Sequence, residues 1–249
     1  MQQTLTWYLR IGACQTPEII GSIDAALACL EDFARRATDQ RVDLLLFPEC
    51  FLQGYLVDDE HVRAHALDLA GAAFRKILDR LSTVRPTLVF GVIEQRESSY
   101  FNAAVVVRTG NVECVYRKTH LVPGEGLFQC GNEYPTFDVN GVICGLNICY
   151  DTNFAEAARA VAAQGARVLL VPSQNMMALQ AAEEWKLRHN SVRAERARET
   201  GMWLVSADVT GSRDLNRIAY GPTSVMNPSG DVVAQVPLMT EGMVFADVG

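Results

Sequence analysis

A chain of 249 residues with 49% apolar side chains can bury one sizeable core, and its formal charge of −7 argues against a nucleic-acid-binding surface. No apolar run approaches the roughly 20 residues that cross a bilayer, and the opening Met-Gln-Gln-Thr-Leu-Thr-Trp-Tyr-Leu-Arg lacks the apolar stretch of a secretion signal. Seven cysteines, at 14, 29, 50, 114, 130, 144 and 149, form no CxxC pair and fit a reduced, cytoplasmic protein.

Leu9-Arg-Ile-Gly-Ala reads as the first strand. Ser22 offers an N-cap, and Ile23, Ala26, Leu27, Leu30, Phe33, Ala34 and Ala37 recur behind it at helical spacing. The run Val42-Asp-Leu-Leu-Leu-Phe predicts a strand covered on both faces and ended by Pro48. Glu49 then falls at the edge of the core beside Phe47 and Phe51, where loss of water raises a carboxylate's pKa and suits it to general acid–base work. A surface glutamate is the plainer alternative. Residues 58–60, Asp-Asp-Glu, read as an acidic loop.

Val62, Ala66, Leu69, Ala73, Ile77 and Leu81 predict one further helix, and Thr87 to Ile93 another buried strand. Tyr100 to Val107 and Val112 to Tyr116 form a hairpin across Thr109-Gly110-Asn111. That hairpin runs into Lys118, which is either a solvated charge or, beside a cysteine, a group that stabilises a thiolate and an oxyanion. Four histidines, at 61, 65, 120 and 189, carry no HExxH pattern, so no metal is expected.

Gly141-Val-Ile-Cys-Gly-Leu-Asn-Ile-Cys-Tyr-Asp is the stretch that carries most information. Asn140-Gly141 is a hairpin signal after Thr136 to Val139, and a helix rich in alanine follows Phe154 and stops at Gly165. Cys149 therefore sits where a strand turns into a helix, with backbone N–H groups able to favour its thiolate. Read alone, it is equally a small buried side chain. Beyond it, Arg167 to Val171 predicts a strand, 179–199 one long helix stopped by Gly201, and Met202 to Val209 another strand. Gly221 to Met226 and Val232 to Val236 make a hairpin over Asn227-Pro-Ser-Gly-Asp, and Met243 to Asp247 a last strand. Strand–helix units alternating with hairpins predict an α/β fold with two mixed sheets and helices outside, in one domain over residues 1–249.

Glu49 in Leu-Phe-Pro-Glu, Lys118 in Tyr-Arg-Lys-Thr-His-Leu-Val-Pro and Cys149 in Gly-Leu-Asn-Ile-Cys-Tyr-Asp resemble, in order and flanks, the Glu–Lys–Cys triad of the nitrilase superfamily of carbon–nitrogen hydrolases. Ile11-Gly-Ala-Cys-Gln, Gly165-Ala-Arg-Val-Leu-Leu-Val-Pro-Ser, Arg193-Ala-Glu-Arg-Ala-Arg-Glu-Thr-Gly and Asn227-Pro-Ser-Gly extend the resemblance over nearly the whole chain. It implies a four-layer αββα sandwich, a homodimer, and neither metal nor organic cofactor. Glu125, in Val-Pro-Gly-Glu-Gly, resembles a second glutamate that many members hold near the triad.

A thiol with an ordinary pKa of about 8.5 needs a base or a cationic neighbour at neutral pH. Glu49 is expected to take the proton as Cys149 attacks an amide carbon, while Lys118 and the Tyr150 backbone N–H hold the oxyanion. Tyr150-Asp151 resembles the amidase and carbamoylase branches more than true nitrilases. Asn153 stands where many amidase-like members carry arginine, so a neutral or amine-bearing linear amide is the expected substrate, with Tyr55, Phe128, Asn153 and Asn175 lining its pocket. Nitrile hydrolysis, acyl transfer on the same site and a catalytically silent scaffold are the alternatives. The membrane-bound acyltransferase members carry spanning helices that this sequence does not show.

Overall fold

The computed structural model describes residues 8–248; residues 1–7, most of the stretch read for a secretion signal, and Gly249 lie outside the described residues. The chain begins β1 (Leu9–Pro17), α1 (Ile23–Asp39), β2 (Leu44–Leu46), α2 (Asp59–His65) and α3 (Ala72–Leu81), then folds back as β3 (Thr87–Arg96), β4 (Ser99–Arg108) and β5 (Asn111–Arg117). It continues β6 (Thr136–Val139), β7 (Val142–Leu146), a 3-10 turn (Cys149–Asn153), α4 (Ala155–Ala162), β8 (Val168–Pro172), β9 (Met177–Ala178), α5 (Leu179–Trp185) and α6 (Arg188–Thr200). It finishes β10 (Trp203–Ser212), β11 (Arg217–Ala219), β12 (Ser224–Met226), β13 (Val232–Gln235) and β14 (Gly242–Val248).

Strands β5-β4-β3-β2-β1-β14 lie side by side in one sheet, and β13-β12-β10-β8-β7-β6 in the other. The central pairs β1/β2, β2/β3, β10/β8 and β8/β7 are parallel, whereas the hairpins add antiparallel strands outside them. The sheets run into each other where Gln15 to Pro17 pair with Asp208 to Thr210.

The period of two along each strand sorts its side chains between layers. Leu44 and Leu46 join Ile11, Val89, Tyr116, Leu146, Leu170 and Val205 between the sheets, while Leu45 faces the other way, toward Leu30 and Phe33 of α1 and Phe74 and Leu78 of α3. In the second sheet Leu169 and Val171 pack beneath Ala158 and Val161 of α4 and Ala194 and Ala197 of α6. The layers therefore run helix, sheet, sheet, helix, which is the αββα sandwich that the sequence predicts. Ser22 caps α1, its hydroxyl accepting from the Ala25 N–H at 3.3 Å, and the six buried residues of that helix all belong to the predicted apolar face.

Two predicted helices are broken. The helix expected through Val62 to Leu81 becomes α2 and α3, because Leu67 joins the sheet edge instead: its N–H donates to Ile93 O at 2.9 Å and its carbonyl accepts from Gln95 N at 2.8 Å. Asp68 then accepts from the Ala70 N–H and Gly71 starts α3, both turn signals inside an otherwise helical apolar pattern. The helix expected over 179–199 is split at Lys186-Leu187, where no Gly or Pro marks the break.

The carboxyl ends of β2, β5, β7 and β8 all open on the same rim, the place where α/β sheets hold ligands. Gly91 on β3 makes room there: a Cβ at this position would lie 2.1 Å from Cys50 N and 2.7 Å from Glu49 Cα. Gly91→Ala is therefore expected to push the Glu49 turn off β3 and to cost about 3 kcal/mol, read from the urea midpoint. An unchanged midpoint would contradict the packing described.

Candidate active site

Glu49 reaches the rim because Phe47-Pro48 ends β2 and Cys50 takes a φ of 47°, turning the chain sharply under Gly91. Its carboxylate is buried at 2% exposure. Oε1 accepts from Lys118 Nζ at 2.7 Å and from Asn102 Nδ2 at 2.7 Å. Lys118, 1% exposed just beyond β5, also donates to Glu125 Oε1 at 3.1 Å. Glu125 is tied further by Asn102 Nδ2 at 2.9 Å, the Tyr55 hydroxyl at 3.0 Å and the Val122 N–H at 2.8 Å.

This is one ammonium between two buried carboxylates. Burial alone would lower the pKa of Lys118, but Glu49 and Glu125 outweigh it and raise the pKa, so the amine stays protonated. Burial raises Glu49 above the ordinary carboxylate range; Lys118 pulls it back and Glu125 pushes it up again. Glu49 is thus held where it can take up and return a proton.

Cys149 opens the 3-10 turn with φ 43°, a conformation rare for a side-chain-bearing residue and found where a nucleophile is held on a sharp strand-to-helix bend. Tyr150 is the second residue of that turn, where the N–H lies outside the turn's own hydrogen-bond ladder. The Cys149 thiol lies 3.7 Å from Asn175 Oδ1. Asn175 is fixed in turn by Asp208, which accepts from its backbone N–H at 3.0 Å and from its side-chain Nδ2. Arg193 lies 3.6 Å from the same carboxylate, which burial pushes up to about 7 against the pull of Arg193.

A protonated thiol is favoured at rest, as the expected proton transfer to Glu49 requires. Burial raises the thiol's pKa and Glu49 adds to it, while Lys118 and the Gln174 backbone N–H offset only part.

Asp151 locks the cysteine turn to the lysine strand. Fully buried, it accepts from Ile148 N at 2.9 Å on one side of Cys149, and from Thr119 N at 3.2 Å and His120 N at 2.8 Å just past Lys118. The Tyr116 and Thr119 hydroxyls also donate to it, at 2.8 and 2.9 Å. Its hydrogen bond to His120 raises that imidazole's pKa, and His120 stacks flat on Phe154 at 3.8 Å.

A cavity of about 300 Å³ brings together Glu49, Lys118 and Cys149 with Tyr55, Tyr150, Asn153 and Asn175. Glu125 stands behind Lys118 and is not part of the lining. Phe128 does not line it either: it packs with Cys50, Val62 and Ile93 beneath the Glu125 loop, where its N–H donates to Glu125 O at 3.1 Å, so its role is to support that loop. Asn153 turns its amide back on Tyr150 O at 3.1 Å. Sequence reasoning missed Asn102, a fully buried amide inside the apolar run of β4, and that anomaly was the available signal. It also missed Asp208 and Arg193, and Trp185 and His189, which line the cavity.

Asp151→Ala would strand at least three backbone N–H groups and two hydroxyls. The expected loss is about 3 kcal/mol or more in urea unfolding, and a loss below about 1 kcal/mol would contradict the tie described.

A family model described as carbon-nitrogen hydrolase matches residues 10–249. An (R)-stereoselective amidase from a Pseudomonas species is 31% identical over 192 residues, covering 77% of this chain and 68% of the relative. An omega-amidase from Homo sapiens is 29% identical over 241 residues, covering 92% and 84%. The amidase from Nesterenkonia sp., solved in a mutant form showing Michael addition of acrylamide at its active-site cysteine, superposes with a TM-score of 0.84 at 26% identity over 97% of this chain and 93% of that one. A family match that runs nearly end to end, on a sandwich that superposes this closely, places the chain in the carbon–nitrogen hydrolase family.

Proposed function

We propose that this carbon–nitrogen hydrolase cleaves linear amides or N-carbamoyl amines through a thioester on Cys149. As the sulfur attacks the carbonyl carbon, Glu49 takes the thiol proton and the carbonyl π pair moves onto oxygen. Lys118 Nζ and the Tyr150 N–H hold that oxyanion. Collapse breaks the C–N bond, and Glu49 returns the proton to the departing ammonia or amine. Glu49 then takes a proton from water as it attacks the thioester; collapse breaks the C–S bond, releases the acid, and Glu49 returns the proton to the departing sulfur. Glu125 and Asn102 orient Glu49 and Lys118 throughout.

The observation that carries this reading is the Glu49–Lys118 contact of 2.7 Å on the wall of the cavity that also receives Cys149. The protonated amine supplies the oxyanion donor, and the raised carboxyl supplies the base. The amidase names of the relatives support amides over nitriles as substrates. A cytoplasmic homodimer completes the proposal. All seven cysteines being free supports the compartment, while the dimer rests on the family resemblance.

Ammonia release from a panel of linear amides, carbamoyl amines and nitriles should fall at least about 1,000-fold in Cys149→Ala. Equal release by both proteins, or none from any member together with a thiol inert to iodoacetamide, would overturn the reading.

A further inference from the structure

We infer that the cavity selects uncharged amides whose acyl group is aryl or aliphatic, through a wall made by Met176, Met177, Trp185, His189 and Val192. This inference rests on the amide-hydrolase reading above.

Trp185, at the end of α5, and His189, in the first turn of α6, stand four residues apart on one face, ring centroids 5.4 Å apart, on the cavity that holds Cys149. Two thioether side chains precede α5, and Val192 follows on the next turn of α6. Thioethers and flat rings adapt to apolar groups of varied shape and reward their burial.

Charge around the cavity points the same way. Its lining holds three side chains able to carry positive charge: Lys118, His189 and Arg193. Lys118 is shared by Glu49 and Glu125. Arg193 donates to Pro222 O at 2.8 Å and to Ser173 Oγ at 3.0 Å, and faces Asp208 at 3.6 Å. Burial, with Arg193 nearby, pushes His189 down to about 3, so its ring is neutral. Set against these are three buried carboxylates, Glu49, Glu125 and Asp208.

The amide groups that could grip an anion are each turned toward another protein oxygen. Asn153 Nδ2 donates to Tyr150 O at 3.1 Å, Asn175 Nδ2 to Asp208, and Gln174 Nε2 to Glu18. Arg188 lies over the Trp185 ring at 5.2 Å but is not part of the lining. Among the described residues, a substrate carboxylate would lose its water and find no cation in the lining without a partner, and a substrate ammonium would find both Glu49 and Glu125 held by Lys118 and Asn102. An uncharged apolar group loses nothing comparable and gains the wall.

The test uses the intact enzyme with primary amides of similar size: valeramide and phenylacetamide as neutral probes, succinamate as the acid and 4-aminobutanamide as the amine, with acetamide as the short reference. Both neutral probes should exceed succinamate and 4-aminobutanamide at least about tenfold in kcat/KM. Trp185→Ala should lower the phenylacetamide-to-acetamide ratio about tenfold, whereas Trp185→Phe, which keeps a ring, should hold it within about threefold. Succinamate or 4-aminobutanamide matching valeramide, or an unchanged ratio in Trp185→Ala, would overturn the inference while leaving amide hydrolysis intact. If no probe released ammonia in a Cys149-dependent manner, the underlying reading and this inference would fall together.

Discussion

The protonated Lys118 held between Glu49 and Glu125 is the constraint on which the rest of the structure depends. An ammonium group at 1% exposure costs several kcal/mol unless its charge and its donors are met. The fold meets it with carboxylates from two other segments at 2.7 and 3.1 Å. Those carboxylates in turn bring Asn102 and Tyr55 into contact with Glu125 and fix where β2, β4 and β5 end relative to one another. The sheet order and the Gly91 contact follow from that need as much as from the apolar core. The same burial also sets the chemistry, because loss of water and the nearby Glu49 outweigh the pull of Lys118 on the Cys149 thiol.

Cys149 is therefore best regarded as a thiol awaiting a base. The strained turn presents its sulfur, Asn175 lies against it, and Asp151 keeps the turn in register with the lysine strand. Asp208 orients Asn175 so that its oxygen faces the sulfur while its nitrogen and backbone N–H point away. On the proposed mechanism the sulfur would gain its charge only as Glu49 takes its proton during attack on a substrate carbonyl. That restrains the thiol from side reactions, and it places the burden of catalysis on Glu49.

Much of this was legible in the sequence, for reasons that differ by residue. Glu49, Lys118 and Cys149 each end a strand whose apolar pattern is unambiguous, so their place on one rim follows from the topology of an α/β sandwich. The hairpin at Asn140-Gly141 was readable because both residues need positive φ, and they have it, at 54° and 85°. Phe128 was misread because an aromatic residue in a loop looks the same whether it lines a cavity or packs beneath one. Trp185 and His189 were missed because the spacing of four that sets them on one helix face reads the same whether that face meets the core or a cavity. The state of the thiol was beyond the sequence for a similar reason. It depends on how loss of water and Glu49 weigh against Lys118 at the sulfur, which only the folded arrangement decides.

The most direct test of the central claim is the pH dependence of Cys149 alkylation by iodoacetamide, followed by mass spectrometry of the Cys149 peptide because Cys130 is exposed too. With its pKa raised above the ordinary thiol range, the thiol should react slowly at neutral pH and its rate should still be climbing beyond about pH 9. A fast rate that is already flat between about pH 6 and 8 would mean a preformed thiolate paired with Lys118, and would contradict the arrangement described here.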